Sequence, residues 1–378
     1  MKRLLFAGLA GLLLNATVFA NAMNVPPVPE IAARSYFLVD YQSGKVIAAR
    51  GAADKVEPAS LTKLMTAYLT FKAVKRGSIK LDQQFTVSQK GWKTEGSRMF
   101  LDPKKPAKVE ELIRGMIVQS GNDACVTLAE AIAGDEAVFA QMMNTEAARL
   151  GMKNTHFMNA TGLPHPQHYS TAEDLAILSA AIIRDFPEFY PIYSLKEYRY
   201  NNISQPNRNL LLFRDPSVDG MKTGHTDNAG FCLVASTHRD GRRLISVLLG
   251  AANENVRAVE SLKLLNYGLQ FYDTPKLYSA KQVVSSLPVW KGAVPQVQLG
   301  FQADQFMTLP RGQSSKIKAD LVTQQPLVAP IRAGQTLGKL KLTLEGQPVG
   351  ELPVVALAEV QQAGILGRAW DTMRLWFH

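Results

Sequence analysis

"EPASLTKLM", residues 57–65, places Ser60 three positions ahead of Lys63 at the start of a helical stretch. Residues three apart share a helix face, so the Lys63 amine can reach the Ser60 hydroxyl. Taken alone, the pair admits two readings: a helix cap beside a surface lysine, or a nucleophile beside its base. Leu61, Leu64, Met65, Tyr68 and Leu69 follow at helical spacing and the pattern stops at Gly77. The first three of these surround Lys63 with apolar side chains, and desolvation would lower the pKa of its amine. The helix start adds unpaired backbone N–H groups that favour a developing anion at Ser60.

Working outward, "SYFLVDYQSGKVIAARGA" reads as a hairpin, with Tyr36–Asp40 and Lys45–Ala49 flanking a turn at Ser43-Gly44. Residues 82–107 are irregular and rich in Gly, Lys and Pro, and read as a surface excursion. Two helices, "VEELIRGMIVQS" and "DACVTLAEAIAG", are separated by Ser120-Gly121-Asn122; Glu136–Leu150 forms another, closed by Gly151. Ser170 with Glu173 suggests a capping box before "DLAILSAAII". Near residue 220 the pattern turns to strands, "VDGMKTG", "AGFCLVAST" and "RRLISVLLGA", the last two joined across Arg239-Asp240-Gly241. An amphipathic helix, "NENVRAVESLKLLNYGLQFY", follows. Strands at both ends of a helical middle predict one sheet assembled from the two ends, with helices packed on it.

After Pro275 helical periodicity disappears. Short alternating runs such as "KLKLTLE" and "PVVAL" sit between Gly and Pro turns, which predicts a small all-β domain. In the last nineteen residues Ile365, Leu366, Ala369, Trp370, Met373, Trp376 and Phe377 fall within about 140° of a helical wheel. Arg368, Asp371, Arg374 and His378 lie opposite. Such a helix is too polar to span a membrane but suits its surface.

The first residues have the form of an export signal: Lys2 and Arg3, an apolar run from Leu4 to Val18, then small residues. About 356 residues of the 378 remain after it, enough for two domains. Without Lys2 and Arg3 the formal charge falls from +10 to +8, still a basic balance suited to anionic lipid or acidic wall polymer. No basic run interleaved with aromatics points to nucleic acid. Histidines lack metal-ligand spacing and no glycine loop suits a phosphate, so neither metal nor cofactor is expected. Cys125 and Cys232 read as two separate buried thiols.

Two more short motifs decide between the readings of Ser60 and Lys63. "VQSGNDAC" offers Ser120 and Asn122 from between two apolar helices. Lys222, Thr223 and His225 supply donors suited to a carboxylate, and Gly224 lets a ligand approach the strand edge. The order S-x-x-K, S-G-N, K-T-G, at positions 60, 120 and 222, is the signature of penicillin-binding proteins and class A β-lactamases.

The chain resembles the low-molecular-mass penicillin-binding proteins, serine-type D-alanyl-D-alanine carboxypeptidases of the penicillin-binding protein 5/6 kind. "PASLTKLMT", "LIRGMIVQSGNDAC", "LGMKNTHF", "NRNLLLF", "VDGMKTGHTDNAGFCLVAS" and "RLIS" carry the likeness across nearly the whole mature chain. It implies an α/β (α+β) β-lactamase-like transpeptidase domain with an antiparallel sheet, a small all-β domain and a C-terminal amphipathic helix. The expected divisions are 1–22 signal peptide, 23–275 catalytic domain, 276–358 β-rich domain and 359–378 membrane-anchoring helix.

The resemblance also implies roles. Ser60 would be the acylated nucleophile and Lys63 its base. Ser120 and Asn122 would serve proton transfer and the substrate amide. Lys222 and Thr223 would bind the terminal carboxylate, with Gly224 beside them. The N–H groups of Ser60 and His225 would form the oxyanion hole. The implied reaction removes the terminal D-alanine from peptidoglycan pentapeptides, and β-lactams would acylate the same serine. The implied location is the periplasmic face of the bacterial inner membrane, on anionic lipid, with a part in cell shape.

A β-lactamase would need a Glu-x-x-Leu-Asn string between the second and third motifs. None occurs there; the nearest approach, "ESLKLLN" at 260–266, follows the third motif. Asp174 reads as structural, and Arg208 either as a carboxylate contact or as half of an ion pair. The stretch "KTEGSRMF" after Trp92 is shorter than in the best-known carboxypeptidases of this group, where it borders the site. Two other functions remain open at this point: an endopeptidase acting on cross-links, and a wall-binding scaffold with vestigial catalysis.

Overall fold

The computed structural model describes residues 25–375. The export-signal pattern at 1–22, and Trp376, Phe377 and His378, lie outside the described residues. Strands β1 (Ser35–Asp40) and β2 (Val46–Arg50) pair as the expected hairpin. Three later strands, β3 (Val218–Thr226), β4 (Gly230–Arg239) and β5 (Arg242–Ala251), complete one sheet in the order β2-β1-β5-β4-β3. All four pairings are antiparallel, and β1 lies against β5, which joins the two ends of the domain. Asp240 and Gly241, at φ 52° and 75°, form the two-residue turn between β4 and β5. β3 is left at the sheet edge, where the K-T-G motif is free of a strand partner on one side.

Helix α1 (Lys63–Lys75) runs through the middle of the helical layer and is buried on almost every side. That explains its lack of a polar face: Leu64, Met65 and Phe71 are fully enclosed. Each such side chain contributes about 1.5–3 kcal/mol on burial. Around it stand α2 (Val109–Val118), α3 (Asn122–Ala133), α4 (Glu136–Leu150) and α5 (Ala172–Asp185). Gly151, at φ 86°, closes α4 as its position in the sequence suggests. The cap of α5 is one residue later than expected. Thr171, not Ser170, accepts from the Asp174 N–H; Ser170 pairs with Val56 through its backbone, and its hydroxyl is engaged by Thr155 Oγ1 at 2.8 Å. On the other sheet face α6 (Glu254–Phe271) starts at Asn253, whose side chain accepts from the Val256 N–H.

The β-rich part holds a six-stranded sheet, with β6 (Val283–Trp290), β7 (Gln296–Gly300), β8 (Ile317–Thr323), β9 (Leu327–Val328), β10 (Thr336–Leu344) and β11 (Gln347–Ala356). Their order is β8-β10-β11-β7-β6-β9, and Leu299, Leu340, Leu342 and Val354 centre a separate core. A polar lock joins the two parts. The buried Asp40 carboxylate accepts from Arg242 Nε at 2.8 Å and from Thr274 Oγ1 at 2.6 Å. Thr308 then bonds both Thr274, at 2.8 Å, and Ser43, at 2.6 Å.

The terminal helix α7 spans Ile365–Leu375, so the segment from 359 to 364 expected in it is not helical. Asp371 accepts from the Lys291 N–H at 2.6 Å and Arg374 lies 5.8 Å from the Trp290 ring. Ile365, Leu366, Trp370 and Met373 remain largely exposed. Among the described residues no helix is long and apolar enough to cross a membrane.

Candidate active site

Ser60 lies in a single 3-10 turn, Ala59–Thr62, that leads directly into α1. Ala59 and Ser120 both adopt φ values unusual for residues with a side chain, 47° and 61°. Each costs about 1–3 kcal/mol, and each stands beside or at a hydroxyl of the site. Packing enforces the first: Gly162 presses so closely on the Ala59 carbonyl that a Cβ there would overlap it.

Lys63 is 1 % exposed, and burial lowers its pKa from the ordinary 10.5. Its Nζ lies 3.0 Å from Ser60 Oγ, 2.7 Å from Asn122 Oδ1 and 2.6 Å from the Thr161 carbonyl. The last two atoms can only accept. An ammonium would donate to all three partners; once the amine is neutral, those two carbonyls take its two hydrogens and its lone pair is left for the Ser60 hydroxyl. Asn122 is held the other way round by its Nδ2, which donates to the Glu95 carbonyl at 2.5 Å.

Lys222 is likewise buried. Burial, more than any neighbouring charge, pushes its pKa well below the ordinary value. Its Nζ donates to Ser120 Oγ at 2.9 Å and to the Thr223 carbonyl at 3.1 Å. Two lysines therefore reach two serines, one pair from α1 and one from across the α2–α3 turn and β3. Gly224 sits where a Cβ would come within 3.1 Å of the Pro58 carbonyl and 3.2 Å of the Ser60 nitrogen. The glycine thus lets edge strand β3 lie against the nucleophile turn.

A cleft of about 540 Å³ opens on Ser60, Ser120, Thr223, Gly224 and His225. The structure thus gathers all eight residues singled out in the sequence, with Lys63, Asn122 and Lys222 buried just behind it. Gly96 and Ser97, in the stretch that the resemblance placed at the border of the site, line the cleft, so part of the segment read as a surface excursion is one of its walls. Reading the sequence missed three other features. Asp123 secures that wall by accepting from the Met99 and Leu101 N–H groups, both at 3.0 Å. Arg257, from the first turn of α6, reaches the cleft beside Arg208 and Phe231. The Thr161 carbonyl is a backbone group and leaves no signal in residue type. Asp174 accepts from Thr155 Oγ1 and the Asn154 N–H, a structural part. Cys125 and Cys232 are buried and unpaired, and burial pushes the Cys125 thiol up to about 12. Among the described residues no group of ligands could hold a metal ion.

Comparison with known proteins matches this geometry to a family. The profile described as D-alanyl-D-alanine carboxypeptidase covers residues 21–253, and that of the penicillin-binding protein 5 C-terminal domain covers residues 272–362. The chain belongs to the D-alanyl-D-alanine carboxypeptidases.

Among these carboxypeptidases, DacC of Escherichia coli is 41% identical over 386 residues, covering 100% of this chain and 96% of that protein. DacF of Bacillus subtilis is 34% identical and covers 100% and 99%. The crystal structure of penicillin-binding protein 5 from Haemophilus influenzae superposes with a TM-score of 0.87 at 42% identity, covering 89% of this chain and all of that one. The fold is accordingly an α/β penicillin-binding domain followed by an all-β domain. The carboxypeptidase is a serine peptidase and a hydrolase of cell-wall maturation.

Proposed function

We propose that the carboxypeptidase removes the terminal D-alanine from pentapeptide stems through an acyl-enzyme on Ser60. The observation that carries this is the buried Lys63 Nζ, 3.0 Å from Ser60 Oγ, with Asn122 Oδ1 and the Thr161 carbonyl as its other two partners. Lys63 takes the Ser60 proton as Oγ attacks the penultimate D-alanine carbonyl. The N–H groups of Ser60 and His225 receive the developing oxyanion. Asn122 clamps Lys63 and keeps a second amide hydrogen for the substrate. Ser120, bonded to Lys222, passes the proton to the departing D-alanine nitrogen. Lys222, Thr223 and Gly224 take the terminal carboxylate, with Arg208 and Arg257 supplying further positive charge. Water then cleaves the ester, and β-lactams stop at the corresponding adduct. A relative, penicillin-binding protein D2 of Listeria monocytogenes, has been solved in ampicillin-bound form.

Around this centre, residues 1–22 serve as a cleaved export signal and 23–275 as the catalytic domain. Residues 276–358 form the β-rich second domain, and 359–378 hold the enzyme on the anionic outer face of the inner membrane. Activity there would serve cell shape. The exposed Ile365, Leu366, Trp370 and Met373 support the anchor.

The test uses penicillin labelling with mass spectrometry and release of D-alanine from a diacetyl-Lys-D-Ala-D-Ala peptide. Both signals are expected, with the adduct on Ser60, and both vanish in Ser60→Ala. An adduct elsewhere, or D-alanine release that survives Ser60→Ala, contradicts the assignment. Digestion of cross-linked sacculi separates the endopeptidase alternative, since only that activity converts dimeric muropeptides to monomers.

A further inference from the structure

The cleft is rich in donors and cations, and one residue runs against that pattern. Among the described residues lining it, Glu254 is the only carboxylate. Glu254 opens α6, and its Oε1 accepts from Arg257 Nη2 at 2.8 Å, one turn further on. The two partners are unequal: the Arg257 side chain is 5% exposed and that of Glu254 is 51% exposed. Arg257 is held in place on other sides too. The same Nη2 donates to the Arg208 carbonyl at 3.1 Å, and the guanidinium stands 5.7 Å from the Phe231 ring. Arg257 is therefore a desolvated cation with several partners, and Glu254 is its solvent-facing counter-ion.

A negative residue at a helix start has an ordinary structural use, since it meets the positive end of the helix. That use does not require the side chain to face a cleft that takes an anion. Here one cation serves two carboxylates: the protein's own, and the one the substrate brings. We propose that Glu254 is a specificity-determining residue that competes with the substrate's terminal carboxylate for Arg257. The inference rests on reading the cleft as a carboxylate site. In the empty enzyme Glu254 compensates a buried charge that would otherwise be costly. A substrate carboxylate gains only the difference between its own interaction and that of Glu254, so it binds more weakly than the bare cation would allow. The released D-alanine carries the same carboxylate, so Glu254 also displaces product. An uncharged amide terminus meets no such competition.

The experiment compares a D-Ala-D-Ala peptide ending in a free carboxylate with the same peptide ending in an amide. Wild type is expected to prefer the acid. Glu254→Gln is expected to raise the acid-to-amide ratio of kcat/KM by about three- to tenfold, chiefly through a lower KM for the acid. A ratio that stays fixed while wild type prefers the acid overturns this inference and leaves the carboxylate site standing; so does a parallel shift for both peptides. Equal handling of acid and amide by wild type overturns the carboxylate site and this inference with it. Glu254→Asp provides the same test should the Gln variant fold poorly. Its withdrawn carboxylate is expected to shift the ratio in the same direction by less.

Discussion

At the scale of single residues, catalysis turns on protonation states that burial imposes. Lys63 can act as a base only when neutral, and its enclosure lowers its pKa from 10.5. Penicillin acylation should therefore rise with pH and level off at a pKa below 10.5; an inflection at or above that value would contradict the role. Lys63→Arg should lower acylation by about a thousandfold or more, because an arginine stays protonated. A second residue controls acid stability. His168 is buried, and desolvation lowers its pKa to about 4 from 6.5. Its Nδ1 accepts from the Met158 N–H at 3.4 Å, so Nε2 carries the hydrogen that bonds Thr62 Oγ1 at 2.9 Å. Between pH 6.5 and 4 the unfolded chain binds this proton and the folded chain does not. Stability is therefore full above pH 6.5 and falls as pH drops through 4, by up to about 3 kcal/mol. Thermal melts from pH 7 to 4 should show a shallower decline in His168→Gln.

At the scale of elements, the site depends on contacts between segments that carry no chemistry. Asp123 holds the 97–101 wall through two backbone hydrogen bonds, and both donors are buried with it. Asp123→Ala leaves those N–H groups unpaired, at about 1–3 kcal/mol each, and frees the wall that Ser97 belongs to. Reduced stability is expected together with slower acylation, measured by denaturant unfolding and by penicillin labelling. Gly162 shows the same dependence from the other side. At φ 85° and against the Ala59 carbonyl, it has no room for a methyl group. Gly162→Ala should displace the Ser60 turn and cut activity more than Gly134→Ala, where the φ is 78° but nothing lies near. Equal losses would show that backbone conformation alone matters.

At the scale of the whole molecule, the Asp40 lock ties the catalytic part to the β-rich part, and Asp371 ties α7 to the strand end at Lys291. Removal of residues 360–378 should abolish co-sedimentation with anionic vesicles while leaving D-alanine release from soluble peptide intact. Retained sedimentation would rule the anchor out. Added salt should weaken the binding of the full chain, since part of the attraction is between charges.

The sequence alone determined what depends on local order. Helix spacing around Ser60 and Lys63, the Asp240-Gly241 turn and the alternation after Pro275 are properties of neighbouring residues, and so were legible. The three motifs were legible as types in sequence order, although the 3-10 turn at Ser60 and the later cap at Thr171 were not. Tertiary structure decided which groups face one another. Arg257 and Glu254 sit in an unremarked helix start, and Thr161 acts through a carbonyl that every residue has. Only folding brings that carbonyl within 2.6 Å of Lys63. The Ser60–Lys63 spacing permits a nucleophile and its base. Burial and two further acceptors, supplied from 59 and 98 residues away, hold the amine against the serine hydroxyl and favour its neutral form.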